Sequence, residues 1–311
     1  MIYLITHRTS YAYSSDVTIS QHVARLQPRD LPNQKCLAHE LSVSPTPALL
    51  TTREDYFGNV TNFLTMEGEH RELTVTARSK VDLVPSDWPE PSRTPAWETL
   101  LKDRGSVVPL EVQEFLYPST MVPNLPALAD YARPSFTPNR PLLEAAAELT
   151  KRIFTDFAFD PTATTVATPL ETVLQTRRGV CQDFAHLEIG CLRSLGLPAR
   201  YLSGYLETLP PPGETKLIGA DASHAWVQLF VPGFGWVDLD PTNNVLSSGR
   251  HITVAWGRDF EDVSPIRGVI SGGGKHAVSV AVDVISVGEN AQVVTSENLT
   301  DDIFGNEKAA L

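Results

Sequence analysis

The sequence predicts an α+β protein: an N-terminal antiparallel β-domain of sandwich-like character, followed by a core in which helices pack on an antiparallel sheet. Three observations carry this. Leu37, His39, Leu41 and Val43, and again Leu73, Val75 and Ala77, alternate with polar or small neighbours, the period of a half-buried strand. Leu142, Ala146, Leu149, Ile153 and Phe157 recur at spacings of three and four, the core stripe of a helix. Strand-like runs then follow a second and a third helical segment, so helices and strands are grouped rather than strictly alternating.

Taken in order, residues 1–83 read as the β-domain, with Asp55-Tyr-Phe-Gly58-Asn59 as a turn between two strand runs. Residues 84–140 hold Pro85, Pro89, Pro91, Pro95, Pro109, Pro118, Pro123, Pro126, Pro134 and Pro138, which forbids a long helix. They are expected to form an extended connection with short helical pieces, packed across both domains. The core is expected over 141–288. Pro141 suits a first helical turn. Thr168-Pro169-Leu-Glu171 opens a short second helix, expected to end at Arg177-Arg178-Gly179 through the glycine. A third helix starts at or just after Val180 and stops at Gly196-Leu-Pro198. Strands follow at Arg200–Tyr205, Ser223–Val231, Trp236–Asp240 and Ile252–Trp256, then through Val278, Val280, Val282 and Val284, which are placed in the core. Residues 289–311 are polar and acidic and read as a tail.

Composition narrows the function classes. A formal charge of −12 over 311 residues disfavours a nucleic-acid partner. No stretch approaches the roughly 20 apolar residues of a membrane span. The N-terminus lacks a signal-peptide pattern, and the three cysteines, an odd count, argue for reduced thiols and a cytoplasmic location. Asn59-Val-Thr61 and Asn298-Leu-Thr300 are then chance matches to a glycosylation pattern.

The chemistry gathers in the core. Cys181 stands where Gly179-Val180 meets a helix start, beside unpaired N–H groups and the positive end of the dipole, both of which favour a thiolate. Cys191 lies mid-helix and Cys36 in the β-domain, so both read as structural. A thiolate nucleophile needs an imidazole, and the imidazole needs an orienting acceptor. His224 opens a strand in Ser223-His224-Ala225-Trp226, with Trp226 on the same face as a shield. His186 lies roughly 140° round the helix from Cys181 and faces elsewhere. Asp238 and Asp240, in Trp236-Val-Asp-Leu-Asp-Pro-Thr242, share one face. A two-residue turn at Gly233-Phe234 would set His224 opposite Asn243, with Asp240 roughly 10 Å along the strand. Asp240 faces His224 only if the connection is odd in length, such as the five residues 230–234, or carries a bulge. One of these is predicted, with Asn243 as orienter if the simple hairpin forms. Zinc on Cys181, His224 and Asp240 lacks the usual paired-ligand spacing, so no metal is predicted.

Cys181 in Gly-Val-Cys-Gln-Asp-Phe-Ala, His224 in Ser-His-Ala-Trp and Asp240 in Gly-Trp-Val-Asp-Leu-Asp-Pro-Thr resemble the three blocks of the transglutaminase-like superfamily, in order and in spacing. Residues 1–83 resemble the β-domain that precedes this core in bacterial members, many of them described as cysteine proteases. The resemblance implies a papain-like core with Cys181 as nucleophile, His224 as general base and Asp240 as its orienter. It implies a peptide or protein amide substrate, with water or an amine as acceptor: a protease or amidase first, a transglutaminase or amide-ligating enzyme as alternative. A triad-bearing but inactive peptide- or partner-binding module is a third reading. No cofactor is expected; the Asp-rich calcium loops of animal members have no counterpart here, and neither does their oxyanion-stabilising Trp. The Cys181 N–H is the expected oxyanion donor. Gly179 is expected to permit a close approach of the chain, and Tyr205 reads either as a cleft residue or as a packed strand aromatic. The loop Pro210–Asp221 is expected to border the cleft.

Overall fold

A computed structural model describes residues 1–102, 104–207, 223–246 and 249–287. The expected loop Pro210–Asp221 and the tail 289–311 lie outside the described residues. The architecture is α+β, as predicted. Strands β1 (Ile2–Ala24), β2 (Gln34–Ser44), β3 (Leu49–Glu54) and β4 (Val60–Leu83) build the N-terminal antiparallel sheet. β1 and β4 are long enough to serve two half-sheets. Register shifts between Ala12 and Val17 and between Val17 and Ile19 interrupt the ladder, and irregularities of this kind bend a strand. Val17, Leu64 and Met66 from one half then pack with Tyr13, Leu73, Val75 and Ala77 from the other, giving the sandwich-like character.

The polypeptide next passes through short helices α1 (Thr99–Lys102), α2 (Arg104–Val107), α3 (Leu110–Gln113) and α4 (Pro126–Ala132). Phe115 in this stretch meets Phe57 of the β-domain and Trp236 of the core, with ring centroids 6.0 and 5.3 Å away. Helices α5 (Leu142–Asp156), α6 (Leu170–Thr176) and α7 (Cys181–Ser194) follow. The stripe Leu142, Ala146, Leu149 and Ile153 is fully buried. Every residue of α7 from Asp183 to Arg193 is buried, because this helix runs through the middle of the core, between other helices and the sheet. The cap of α6 departs from expectation. Arg177, with φ +57°, takes the left-handed position, and Gly179 is required for a different reason given below.

The core sheet runs β10 (Val245–Leu246), β9 (Gly235–Asp240), β8 (Ser223–Val231), β7 (Ala199–Leu206), β11 (His251–Gly257), all antiparallel. The exposed edge of β11 is closed by side chains of the β-domain. Gln34 exchanges two 2.8 Å bonds with the Thr253 backbone, and Asn59 exchanges bonds of 2.9 and 3.0 Å with the Trp256 backbone. Each amide mimics a strand residue and pairs both backbone groups it meets.

The last two strands correct the expected boundary. β12 (Ile266–Gly272) and β13 (His276–Val287) leave the core and pair with the second and first halves of β1. Alternation identifies a half-buried strand but not the sheet it joins. Among the described residues, no helix is long and apolar enough to cross a membrane.

Candidate active site

Cys181 is the first residue of α7, and three contacts hold it there. Ala158–Phe159 (β5) and Arg178–Gly179 (β6) form a short parallel pair that delivers the chain to the helix. The Val180 N–H donates to Asp183 Oδ2 at 2.8 Å, and the Thr164 hydroxyl donates to the same oxygen at 2.6 Å. A Cβ on residue 179 would lie 2.5 Å from that oxygen, so only glycine lets the carboxylate fold back over the helix entrance. All three thiols are free; Cys181 and Cys36 are partly buried, and Cys191 is fully buried. Burial pushes the Cys36 thiol up to about 11 and raises that of Cys191 further, which leaves both poor nucleophiles.

His224 opens β8 and Asp240 closes β9. The ladder pairs Gln228 with Asp238 and Val231 with Gly235, so the connection is the three residues 232–234. The expected alternatives of two or five residues are both wrong in length, but the odd count is right. Odd length keeps His224 and Asp240 on one face, offset by one pleat rather than directly opposite. Diagonal neighbours lie about 7–8 Å apart at Cα, which long polar side chains span. His224 Nε2 and Asp240 Oδ2 are 2.8 Å apart. Asn243 therefore does not replace the aspartate. Its amide donates to Asp240 Oδ2 at 2.7 Å. Trp226 stacks on His224 at 6.0 Å with 18° between the planes, the expected shield. Asp238, on the same face, sits opposite Gln228, away from His224.

Sequence reasoning missed His251. Its Nε2 lies 2.8 Å from the same Asp240 Oδ2. β11 and β9 are separated in the sheet by β7 and β8, so this meeting requires the sheet to curl with the His224 face inward. Gly204, opposite His224 on β7, makes room for the curl; a Cβ there would be 2.0 Å from the Ile252 carbonyl oxygen and 2.7 Å from the Trp226 ring. Asp240 Oδ1 accepts from the backbone N–H groups of Thr242 and Asn243 at 2.9 and 3.1 Å. A buried carboxylate so surrounded stays ionised. Burial alone would raise its pKa, but the two histidines hold it well below the usual carboxylate range. Since an ionised carboxylate only accepts, both Nε2 atoms that face it carry protons. His224, Asp240 and His251 place their ligand atoms within 4.8 Å of one another, and both histidines pair with the aspartate.

With Nε2 committed, Nδ1 is the nitrogen His224 has left for the Cys181 thiol, its second side-chain partner. Burial of the ring works against its charge. The hydrogen bonds and charges of Asp240 and Cys181 outweigh that and push the imidazole up to about 10. His186 and Tyr205 are elsewhere. His186 Nε2 accepts from the Phe260 N–H at 3.1 Å, and the buried Tyr205 hydroxyl pairs with His7 Nδ1 of the β-domain at 3.0 Å. Tyr205 is thus a packed strand aromatic that ties the two sheets together.

Glu188, also on α7, is fully buried beside Thr150. The Thr150 hydroxyl donates to Glu188 Oε1 at 2.6 Å and also lies 3.0 Å from the Ala146 carbonyl oxygen. Burial pushes this carboxyl up to about 8, against an ordinary 4.5. A carboxyl raised on folding contributes most below its unfolded value, and stability falls as pH rises from 4.5 towards 8. Glu188→Gln is expected to remove that fall. Urea midpoints of the variant and the wild type should nearly coincide at pH 4.5 and separate in the variant's favour at pH 8.

Matches to known proteins bear on the family and the fold. Residues 3–82 match the bacterial transglutaminase-like N-terminal region, and residues 129–241 match the transglutaminase-like superfamily core. An uncharacterized Mycobacterium tuberculosis protein is 42% identical over 289 residues, covering 91% of this chain and 92% of that protein. The chain belongs to the transglutaminase-like superfamily. The crystal structure of a Cytophaga hutchinsonii protein described as a "Putative Cysteine Protease" superposes with TM-score 0.75 at 20% identity, over 93% of this chain and 91% of the other, so the two share a fold. A protein-glutamine gamma-glutamyltransferase of Pseudomonas aeruginosa is 28% identical over 161 residues, 51% of this chain and 23% of that enzyme. The N-terminal match ends within β4 and the core match ends just past Asp240, so β10 to β13 lie beyond both.

Proposed function

We propose that this transglutaminase-like protein is a cysteine-dependent acyl-transfer enzyme acting on peptide or protein amides, with hydrolysis as its main outcome. The observation that carries the reading is the 2.8 Å Asp240–His224 pair, with Cys181 at a helix start acting on the same ring. With His224 raised to about 10, the ring already holds the thiol proton on Nδ1 as an imidazolium, and the sulfur attacks the amide carbonyl. The carbonyl oxygen becomes an oxyanion beside the free Cys181 N–H. The imidazolium then protonates the leaving amine as the C–N bond breaks, which leaves a thioester on Cys181. Water activated by the neutral imidazole releases the acid and restores the thiol.

An amine acceptor in place of water would give crosslinking. That second reading is favoured by the local similarity to a protein-glutamine gamma-glutamyltransferase. Free thiols at all three cysteines suit a reducing, cytoplasmic setting.

The test is turnover of a panel of peptide amides, read as released amine or ammonia, with and without an added primary amine. Acid product without amine, lost in Cys181→Ala, supports the hydrolase. Product that appears only with amine shifts the reading to transfer, and no turnover under either condition leaves a binding module.

A further inference from the structure

We infer that His251 is a positioning residue for the reaction proposed above: it holds Asp240 so that the carboxylate aims its other acceptor direction at His224. Its side chain is 1% exposed, and its Nε2 lies 2.8 Å from the Asp240 Oδ2 that His224 also uses. The ring packs edge-on against Trp226, with centroids 5.1 Å apart, and lies 5.8 Å from the His224 ring. His251 Nδ1 is buried with no hydrogen-bond partner among the described residues. A proton there would be stranded away from water, so the ring carries its one proton on Nε2 and presents it to Asp240. His251 is therefore bound at one end only, and that end is the carboxylate.

The groups facing His251 are few. β9 brings Asp240 and, farther off, Asp238, β8 brings His224, and β7 sets Leu206 opposite it. Without the His251 N–H, Asp240 Oδ2 keeps the Asn243 amide and His224, Oδ1 keeps the two backbone N–H groups, and a cavity is left beside Trp226. The carboxylate then loses the donor that balances the pull of His224 on the same oxygen, and the direction of His224 Nδ1 is held less closely. Since the inference rests on the proposed chemistry at Cys181, its test separates the two.

The experiment compares the full chain with His251→Leu, His251→Asn and His251→Gln. Two rates are read across pH: iodoacetamide alkylation of Cys181, located by peptide mapping, and peptide-amide turnover. His251→Leu is expected to lower alkylation at pH 6 and kcat by about 10- to 100-fold, the usual cost of losing an outer partner at a tuned site, with KM within about two-fold. His251→Gln, long enough to donate an amide N–H to the same oxygen, should recover most of the loss. His251→Asn, too short to reach, should behave like the leucine variant and serves if that variant does not fold. Equal rates and pH profiles in wild type and His251→Asn would overturn the inference while leaving the chemistry at Cys181 intact. A His251→Gln variant no better than His251→Asn would overturn it too, because burial rather than donation would then be what matters. Wild-type Cys181 that alkylates no faster than Cys36 would instead sink the proposed function itself.

Discussion

Asp240→Asn is expected to lower kcat by about a thousand- to ten-thousand-fold, the range seen when a triad aspartate becomes an amide. The carboxylate takes Nε2–H donors from His224 and His251 on one oxygen and backbone N–H groups of Thr242 and Asn243 on the other. An amide keeps one acceptor oxygen and replaces the other with a donor. If the NH₂ faces the histidines, two N–H donors confront it, and His224 must move its proton to Nδ1, where it can no longer accept one from the thiol. If the NH₂ faces the backbone instead, two buried N–H groups lose their acceptor, at about 1–3 kcal/mol each. Either outcome removes the charge that keeps the imidazolium stable. The His224 imidazole, pushed up to about 10 in the wild type, should then titrate lower. A group raised on folding stabilises fully below its unfolded pKa and loses that stability as pH rises through its folded value. The stability gap between wild type and Asp240→Asn should therefore be wide at pH 6 and narrow towards pH 10. Steady-state kinetics and urea denaturation at both pH values check the two halves of this prediction.

Cys181→Ala is expected to abolish turnover to the detection limit while leaving the fold intact. The position is partly buried at the first residue of α7, and the helix entrance is held by Asp183, Thr164 and the β5–β6 pair rather than by the thiol. Cys36→Ser should leave turnover within about two-fold of wild type, because Cys36 lies in β2 of the N-terminal sheet and its thiol is pushed up to about 11. Matched thermal unfolding of wild type and both variants separates lost chemistry from lost structure.

The contrast among the cysteines was legible in the sequence because it depends on local context. A cysteine after Gly-Val at a helix start differs from one in mid-helix without any tertiary information. His224 and Asp240 were legible as well, since two short strands with a Gly-rich turn between them and a proline after the aspartate leave few pairings. The register was not. Turn length sets which residues share a face, and Pro232-Gly233-Phe234 can close a hairpin in more than one way. Parity settled the face, and the reach of the two side chains made the offset tolerable. His251 was hidden for a different reason. It meets Asp240 only because the sheet curls until β11 and β9 approach across two intervening strands, and curvature depends on details such as the missing Cβ at Gly204. The exit of β12 and β13 to the N-terminal sheet was likewise hidden, since a strand's own alternation does not name its neighbour.

The most direct measurement is the intact mass of the protein rapidly quenched after mixing with a peptide amide or an activated ester of the same acyl group. The covalent chemistry proposed here predicts one acyl adduct, mapped to Cys181, absent in Cys181→Ala, and slower to form in Asp240→Asn. Turnover without any adduct at residue 181, or acylation spread evenly over Cys36, Cys181 and Cys191, would contradict it.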